Sequence, residues 1–172
     1  MMTMPELDCL LVRQPYASLI AFGSKRWEFR SYDSKKRGTI CIASSKGSPL
    51  QTGDSYLNSI SGYFPRGFVL ATADLTDSYL GTSEDLRKLR FGKETVKIHD
   101  YKLTTASIPL GEPLSDIILS MNDDKWQNYI WVLKNVVPLK NMLPLKNGNG
   151  SIWTKVELNE KQSLTKSIQS FL

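Results

Sequence analysis

Two cysteines and a single histidine are all that this 172-residue chain offers a transition metal. A four-ligand zinc site is out of reach with that set, and no carboxylate cluster stands beside the histidine to complete one. No metal and no cofactor are therefore expected. Cys9 and Cys41 lie inside apolar segments, where buried free thiols are the expected state in a reducing compartment. Long hydrophobic runs are also missing: none approaches the roughly 18 residues that span a bilayer. The opening "MMTMPELDC" has no basic stretch followed by an apolar one, so no secretory leader is read there. The expected location is intracellular, cytoplasmic or nuclear, with no membrane partner. A nucleophile elbow of the G-x-S-x-G type is absent as well, which leaves His99 and its neighbour Asp100 without a serine to activate.

What the chain does have is a basic surplus with an uneven distribution. Hydrophobic residues make up 41% and charged ones 23%, ordinary for one globular domain, and a single domain over 1–172 is expected. The net charge is +5 and the isoelectric point about 9.2. Residues 25–38 hold six basic side chains (Lys25, Arg26, Arg30, Lys35, Lys36, Arg37) against Glu28 and Asp33. From Lys134 to Lys155 there are four lysines and no acid. Segments so far apart make one basic patch only if the fold brings them together.

Hydrophobic periodicity predicts the elements. "DCLLV" reads as a short buried strand. "QPYASLIAFG" reads as a short helix, with Pro15 at its first position and Gly23 as its left-handed cap. "KRWEFRSY" alternates like a strand with Trp27 and Phe29 in the core and Glu28 and Arg30 facing out. "RGTICIASS", "GFVLATADLTDSY", "YIWVLKNVVPL" and "GSIWTKV" are further strands, the last two joined by the turn "LKNGNG". "SPLQTGDSYLNSISGYFPRG" is read as loop with one helical turn. "SEDLRKLRF" suits a helix opened by Ser83, and the tail from about 159 to 172 a C-terminal helix, with Asn159 and Gln162 as a capping box. Trp27, Trp131 and Trp153 fall in alternating apolar segments and are expected in the core. Five or so strands, a few short helices and no βαβ rhythm point to an α+β fold on a twisted or closed sheet.

The stretch "RQPYASLIAFGSKRWEFRSYDSKKRGTICIASSKGSP" resembles the opening of the ASCH domain, whose mark is G-x-K-x-x-E-x-R after a QP-aromatic helix. Gly23, Lys25, Glu28 and Arg30 complete that motif. Later landmarks follow in order: Arg37-Gly38, the stretch from Gly67 to Leu75, and "YIWVLKN…LPLKNGNGSIW". The pattern looks most like the C-terminal ASCH domain of activating signal cointegrator proteins. The resemblance implies a PUA-like fold: a small β-barrel of about five to six strands with flanking short helices and a cleft beside the motif. It also implies nucleic-acid binding, to RNA before DNA, within a transcription- or RNA-linked complex that has protein partners. Some bacterial ASCH proteins are instead amidohydrolases acting on N4-acetylcytidine, and one is a ribonuclease, so function has to be argued from the site.

The candidate nucleic-acid-binding residues are Gln14, Tyr16, Lys25, Arg26, Glu28, Arg30, Arg37, Ser44, Ser45 and Lys46. Lys25 and Arg30 neutralise phosphates, and Arg30 can pair with a phosphate or base edge through two parallel bonds. Arg26 and Arg37 extend the basic face. Glu28 can accept a hydrogen bond from an exocyclic amine; the plain alternative is an ion pair on a solvated face. Gln14 opens a helix whose N-terminus suits an anion, and Tyr16 can stack a base. Ser44, Ser45 and Lys46 end the second long strand and would line the cleft. Lys140 and Lys146 would lengthen a phosphate-tracking surface.

In the amidohydrolase relatives the lysine matching Lys25 is catalytic, and a threonine takes the place of Glu28. A lysine serves as base or nucleophile only if its pKa falls from about 10.4. A neighbouring carboxylate works against that fall, so the sequence favours a binding lysine over a catalytic one. Asp74 and Asp77 are the second carboxylates to examine if the chain is an enzyme.

Overall fold

Cys9 to Val12 are apolar without interruption, and they form the inner half of β1 (Glu6–Val12). Such a run belongs to a strand covered on both faces. Leu10 and Val12 point into one core, while Cys9 and Leu11 point into another on the opposite face. The computed structural model describes residues 6–23, 25–90, 120, 122–146 and 152–158, the side chains of 87–90 excepted. The expected C-terminal helix at 159–172, the pair His99 and Asp100, and the turn at 147–150 lie outside the described residues.

A tight turn leads from β1 into α1 (Tyr16–Ala21), with Pro15 at the N-cap and a cis Gln14–Pro15 bond. Gly23 follows the C-terminal end of α1 at φ +80, the left-handed conformation that glycine adopts without strain. Then come β2 (Trp27–Arg30), β3 (Gly38–Ser44), α2 (Ser55–Ile60) and a 3₁₀ turn (Ser61–Tyr63). The loop expectation for this region finds its helical turn in α2. Asp54 caps it, accepting a 2.9 Å hydrogen bond from Leu57 N. β4 (Phe68–Thr82) and α3 (Ser83–Arg90) follow, and Glu84 and Asp85 lie in the first turn of α3, as its sequence predicts. β5 (Gln127–Pro144) and β6 (Trp153–Glu157) complete the described chain.

The six strands form one mixed sheet in the order β2-β5-β4-β3-β1-β6. Only β1 and β3 pair in parallel; the other neighbours are antiparallel. α1 covers one face through Ala17, Ile20 and Ala21, packed with Leu10, Ile40, Ile42, Trp131 and Leu133. On the other face Cys9, Cys41, Val69, Leu139 and Val156 make a second core. Cys9 and Cys41 stand opposite each other as buried free thiols, and the hydrogen bond between them, with burial, pushes the Cys9 thiol well up.

The expected closed barrel is not formed: among the described residues β2 and β6 are free edges of an open α+β sheet. The sheet is nevertheless strongly coiled. Three strands separate β5 from β6, which in a flat sheet sets them about 19 Å apart. Yet Trp131 on β5 and Trp153 on β6 stack with ring centroids 5.9 Å apart. Arg30 on β2 likewise reaches across to Leu11 O on β1 at 3.1 Å. Side chains thus join the two halves where backbone pairing does not. Irregularities in the β3/β4 and β4/β5 registers provide the bending, because each adds local twist.

Candidate functional site

β2 is short and carries the motif into the hollow of the coiled sheet. Alternation is obeyed, but the faces are exchanged relative to the sequence reading. Trp27 and Phe29 are half-buried against Leu86 and Trp126 on the outer side. Glu28 and Arg30 point inward, toward Trp131, whose ring lies 5.8 Å from the Arg30 guanidinium. The cause is α3, which gives the outer side of this edge strand an apolar cover of its own through Leu86.

Lys25 sits at the turn between α1 and β2, where its backbone N–H bonds Leu19 O at 3.0 Å. Its side chain is completely buried. The ammonium lies 5.1 Å from the Tyr16 ring centroid and 5.0 Å from that of Phe29, a cation between two aromatic faces. Burial pulls the Lys25 amine down from the ordinary 10.5 to about 8, Glu28 opposes this, and Arg30 adds to it. Desolvation therefore outweighs the neighbouring carboxylate, against the expectation that Glu28 would keep this lysine strongly basic.

Glu28 is 7% exposed. Its Oε1 accepts a 3.1 Å hydrogen bond from Phe29 N. Its Oε2 is buried and accepts no hydrogen bond among the described residues. Arg30 Nη2 lies 3.6 Å from that oxygen, an ion pair too long for a good hydrogen bond, and the same nitrogen donates to Leu11 O. The solvated-face alternative fails on burial. This is an internal cluster of two cations and one carboxylate with an unused acceptor.

The other candidates divide. Tyr16 belongs to the cluster through its ring. Gln14 is fully buried and supports it: Oε1 accepts from Ser18 N at 3.0 Å, while Nε2 donates to Ser18 Oγ at 2.8 Å and to Pro65 O at 2.7 Å. That amide binds α1 to the strand entry at Pro65. Arg26 is half-buried, and its carbonyl accepts from Leu133 N. Arg37 donates to Ser34 O and Lys36 O and lies 3.9 Å from Asp77. Ser44 is buried, exchanging bonds with the Phe68 backbone. Ser45 Oγ is buried without a hydrogen-bond partner among the described residues. Lys46 is exposed.

Asp74 is held by Thr39 and Asn135, and Asp77 by Ser78 N. The charges that act on Lys25 are Glu28 and Arg30. The two basic segments do meet, although not at the motif: Lys36 and Lys155 both bind Asp8, at 3.2 and 2.8 Å. Sequence reading missed Trp131 as the aromatic partner of Arg30, and Leu11 O as its acceptor. Only the coil of the sheet brings those strands together.

The ASCH domain family profile matches residues 10–109, well over half of the chain. The chain belongs to the ASCH domain family. Among solved structures, the ASCH protein from Zymomonas mobilis is similar at 13% identity and a TM-score of 0.50, covering 94% of this chain and 93% of that one. Two point mutants of that protein are similar at 12% identity, with TM-scores of 0.49 and 0.48. Likeness at this identity concerns the fold. No curated protein matches the chain. ASCH domains are generally thought to bind RNA, and the matched span of this one includes α1, the complete G-x-K-x-x-E-x-R motif, β3 and β4. Among the described residues no helix is long and apolar enough to cross a membrane, and no group of three or more His, Cys, Asp or Glu side chains is placed to hold a metal ion.

Proposed function

We propose that this ASCH domain binds RNA and that the Lys25–Glu28–Arg30 cluster receives one unpaired base. The observation that carries the reading is Glu28 Oε2, a buried carboxylate oxygen with no hydrogen-bond donor among the described residues. Such an atom costs stability unless a donor reaches it, and the exocyclic amine of cytosine, adenine or guanine is a donor of suitable geometry. Arg30 supplies donors beside it for a base carbonyl or ring nitrogen, and Tyr16 supplies a flat flank. A base presents its exocyclic amine to Glu28 only when it is free of a duplex, which favours single-stranded RNA. A place in a transcription- or RNA-linked assembly of the cointegrator type, with protein partners, fits the same reading.

Fluorescence anisotropy with a labelled 12-nucleotide RNA, over a salt series, tests it. Wild type binds with log K falling as log salt rises. Glu28→Gln puts a donor against the incoming amine and weakens binding roughly tenfold or more, leaving the salt slope unchanged. Wild type with no affinity even at low salt defeats the proposal, as does a Glu28→Gln variant that binds as wild type does.

One observation favours a second reading, hydrolysis of a modified nucleoside such as N4-acetylcytidine, or of RNA. With its amine pulled to about 8, Lys25 has on the order of a tenth of its population neutral at pH 7. That fraction is available as a base or nucleophile. Turnover that disappears in Lys25→Arg while the fold is kept supports hydrolysis; equal turnover in the two proteins removes it.

A further inference from the structure

Phe22 is 68% exposed and Tyr63 is 87% exposed, high values for large aromatic side chains. They belong to one surface although they come from different elements. Phe22 caps the C-terminal end of α1, and its ring meets that of Phe64 edge to face with centroids 6.1 Å apart. Tyr63 and Phe64 close the 3₁₀ turn. The Gln14 amide holds that turn to α1 by its bond to Pro65 O, so the arrangement is fixed from within.

Two exposed cations adjoin these rings. Arg66 follows Pro65 in the chain, and Lys46 lies against Gly67. Gly67, at φ +79, lets the Lys46 stem pass 3.1 Å from the point a Cβ would occupy. Between Ser55 and Ala73, the stretch that carries Tyr63 and Phe64, Arg66 is the one charged residue, and Asp54 caps α2 just ahead of it. Exposed rings at Phe22 and Tyr63, with the exposed cations Lys46 and Arg66 close by, match a ligand that is flat and apolar in parts and strung on anions.

We infer that this surface is a stacking platform for single-stranded RNA, with bases on Phe22, Tyr63 and Phe64 and phosphates on Lys46 and Arg66. The inference rests on the RNA-binding reading above and extends it outward from the motif. Lys25 follows Phe22 by three residues, so their Cα atoms stand at most about 10 Å apart. An RNA that places one base beside Glu28 lays its next nucleotides across the platform.

Anisotropy with a labelled 12-nucleotide single-stranded RNA and the corresponding duplex, over a salt series, tests the platform. Phe22→Ser with Tyr63→Ser weakens single-strand binding by roughly tenfold per ring and leaves the salt slope alone, because stacking releases no counterions. Lys46→Ser with Arg66→Ser lowers the salt slope by about 1.4 for single strands. Tyr63→Trp, at a fully wet position, keeps affinity and adds an indole whose emission RNA quenches. Both double variants are checked by thermal melting, and the Trp variant reports on stacking even if one of them misfolds. Wild-type binding with unchanged affinity in the aromatic variant, or no quenching of the introduced indole, overturns the platform alone and turns attention to a protein partner for these rings. No RNA binding by wild type at any salt overturns the reading beneath it as well.

Discussion

Among the described residues, two small clusters each bring one carboxylate to two cations, and they behave in opposite ways. On the inside, Glu28 pairs with Arg30 and acts on the charge of the buried Lys25. On the outside, Asp8 bonds Lys36 and Lys155, with Lys36 also over the Trp153 ring at 5.1 Å. The inner lysine is pulled down to about 8. The outer Lys155 is pushed up from its usual value by its hydrogen bond to Asp8, and Asp8 is held below the usual carboxylate range by the same bond. Composition is nearly the same in both. What differs is water: Lys155 keeps its hydration, so attraction to Asp8 decides, whereas Lys25 has lost its hydration and the attraction only softens that loss. An ion cluster in water is a modest tether, whereas in the same cluster without water burial sets the pKa of the lysine.

The largest expected effect comes from breaking the inner cluster. Glu28→Ala leaves the buried Lys25 and the half-buried Arg30 without their carboxylate and should cost about 3–5 kcal/mol in urea unfolding. A cost below about 1 kcal/mol would mean that the cluster is wetter than its burial indicates.

Next comes the pH dependence of Lys25. Below about 8 the amine is charged in both folded and unfolded chains. Between about 8 and the ordinary 10.5 the unfolded chain keeps a proton that the folded one has lost, so stability rises with pH across that window. Relative to Lys25→Met, wild type should therefore gain about 3 kcal/mol between pH 7 and pH 10.5. A flat difference between the two proteins would show an ordinary, hydrated lysine.

The outer cluster gives the smallest effect. Asp8→Asn should cost no more than about 1 kcal/mol at pH 7, and about 0.5 M salt should remove most of it while leaving the Glu28→Ala cost in place. The Asp8 contribution is present above its usual value near 3.8 and fades as pH falls through its lowered folded value. The Lys155 contribution is complete below 10.5 and fades as pH rises past its raised folded value. A salt-resistant Asp8 effect would erase the contrast between the clusters.

Much of the fold was legible along the chain. The apolar run of β1, the helix between Pro15 and Gly23, the two-residue period of β2 and the acids opening α3 are local signals, and all appear where the residues place them. Trp131 was readable as core for the same reason. The inward face of β2 was not, because period two names two faces without saying which is enclosed. The barrel expectation went wrong for a related reason: strand count and twist say little about whether edges meet. At the site, the motif named Lys25, Glu28 and Arg30, yet it said nothing of the burial that lowers the lysine or of the unused oxygen on Glu28. Gln14 looked like an anion-facing helix opener and is instead the inner tie between α1 and Pro65.

By itself the sequence determined which residues are apolar and at what spacing, where helices start and stop, and which eight-residue motif carries the charges. These follow from neighbours a few positions apart, whose geometry the backbone sets directly. The tertiary structure alone decided that Arg30 meets Leu11 O, that Trp131 stacks on Trp153, that Lys36 and Lys155 share Asp8, and that Lys25 is dry. Each of those depends on how far the sheet coils, and the coil sums bulges and packing over six strands, which no local window contains.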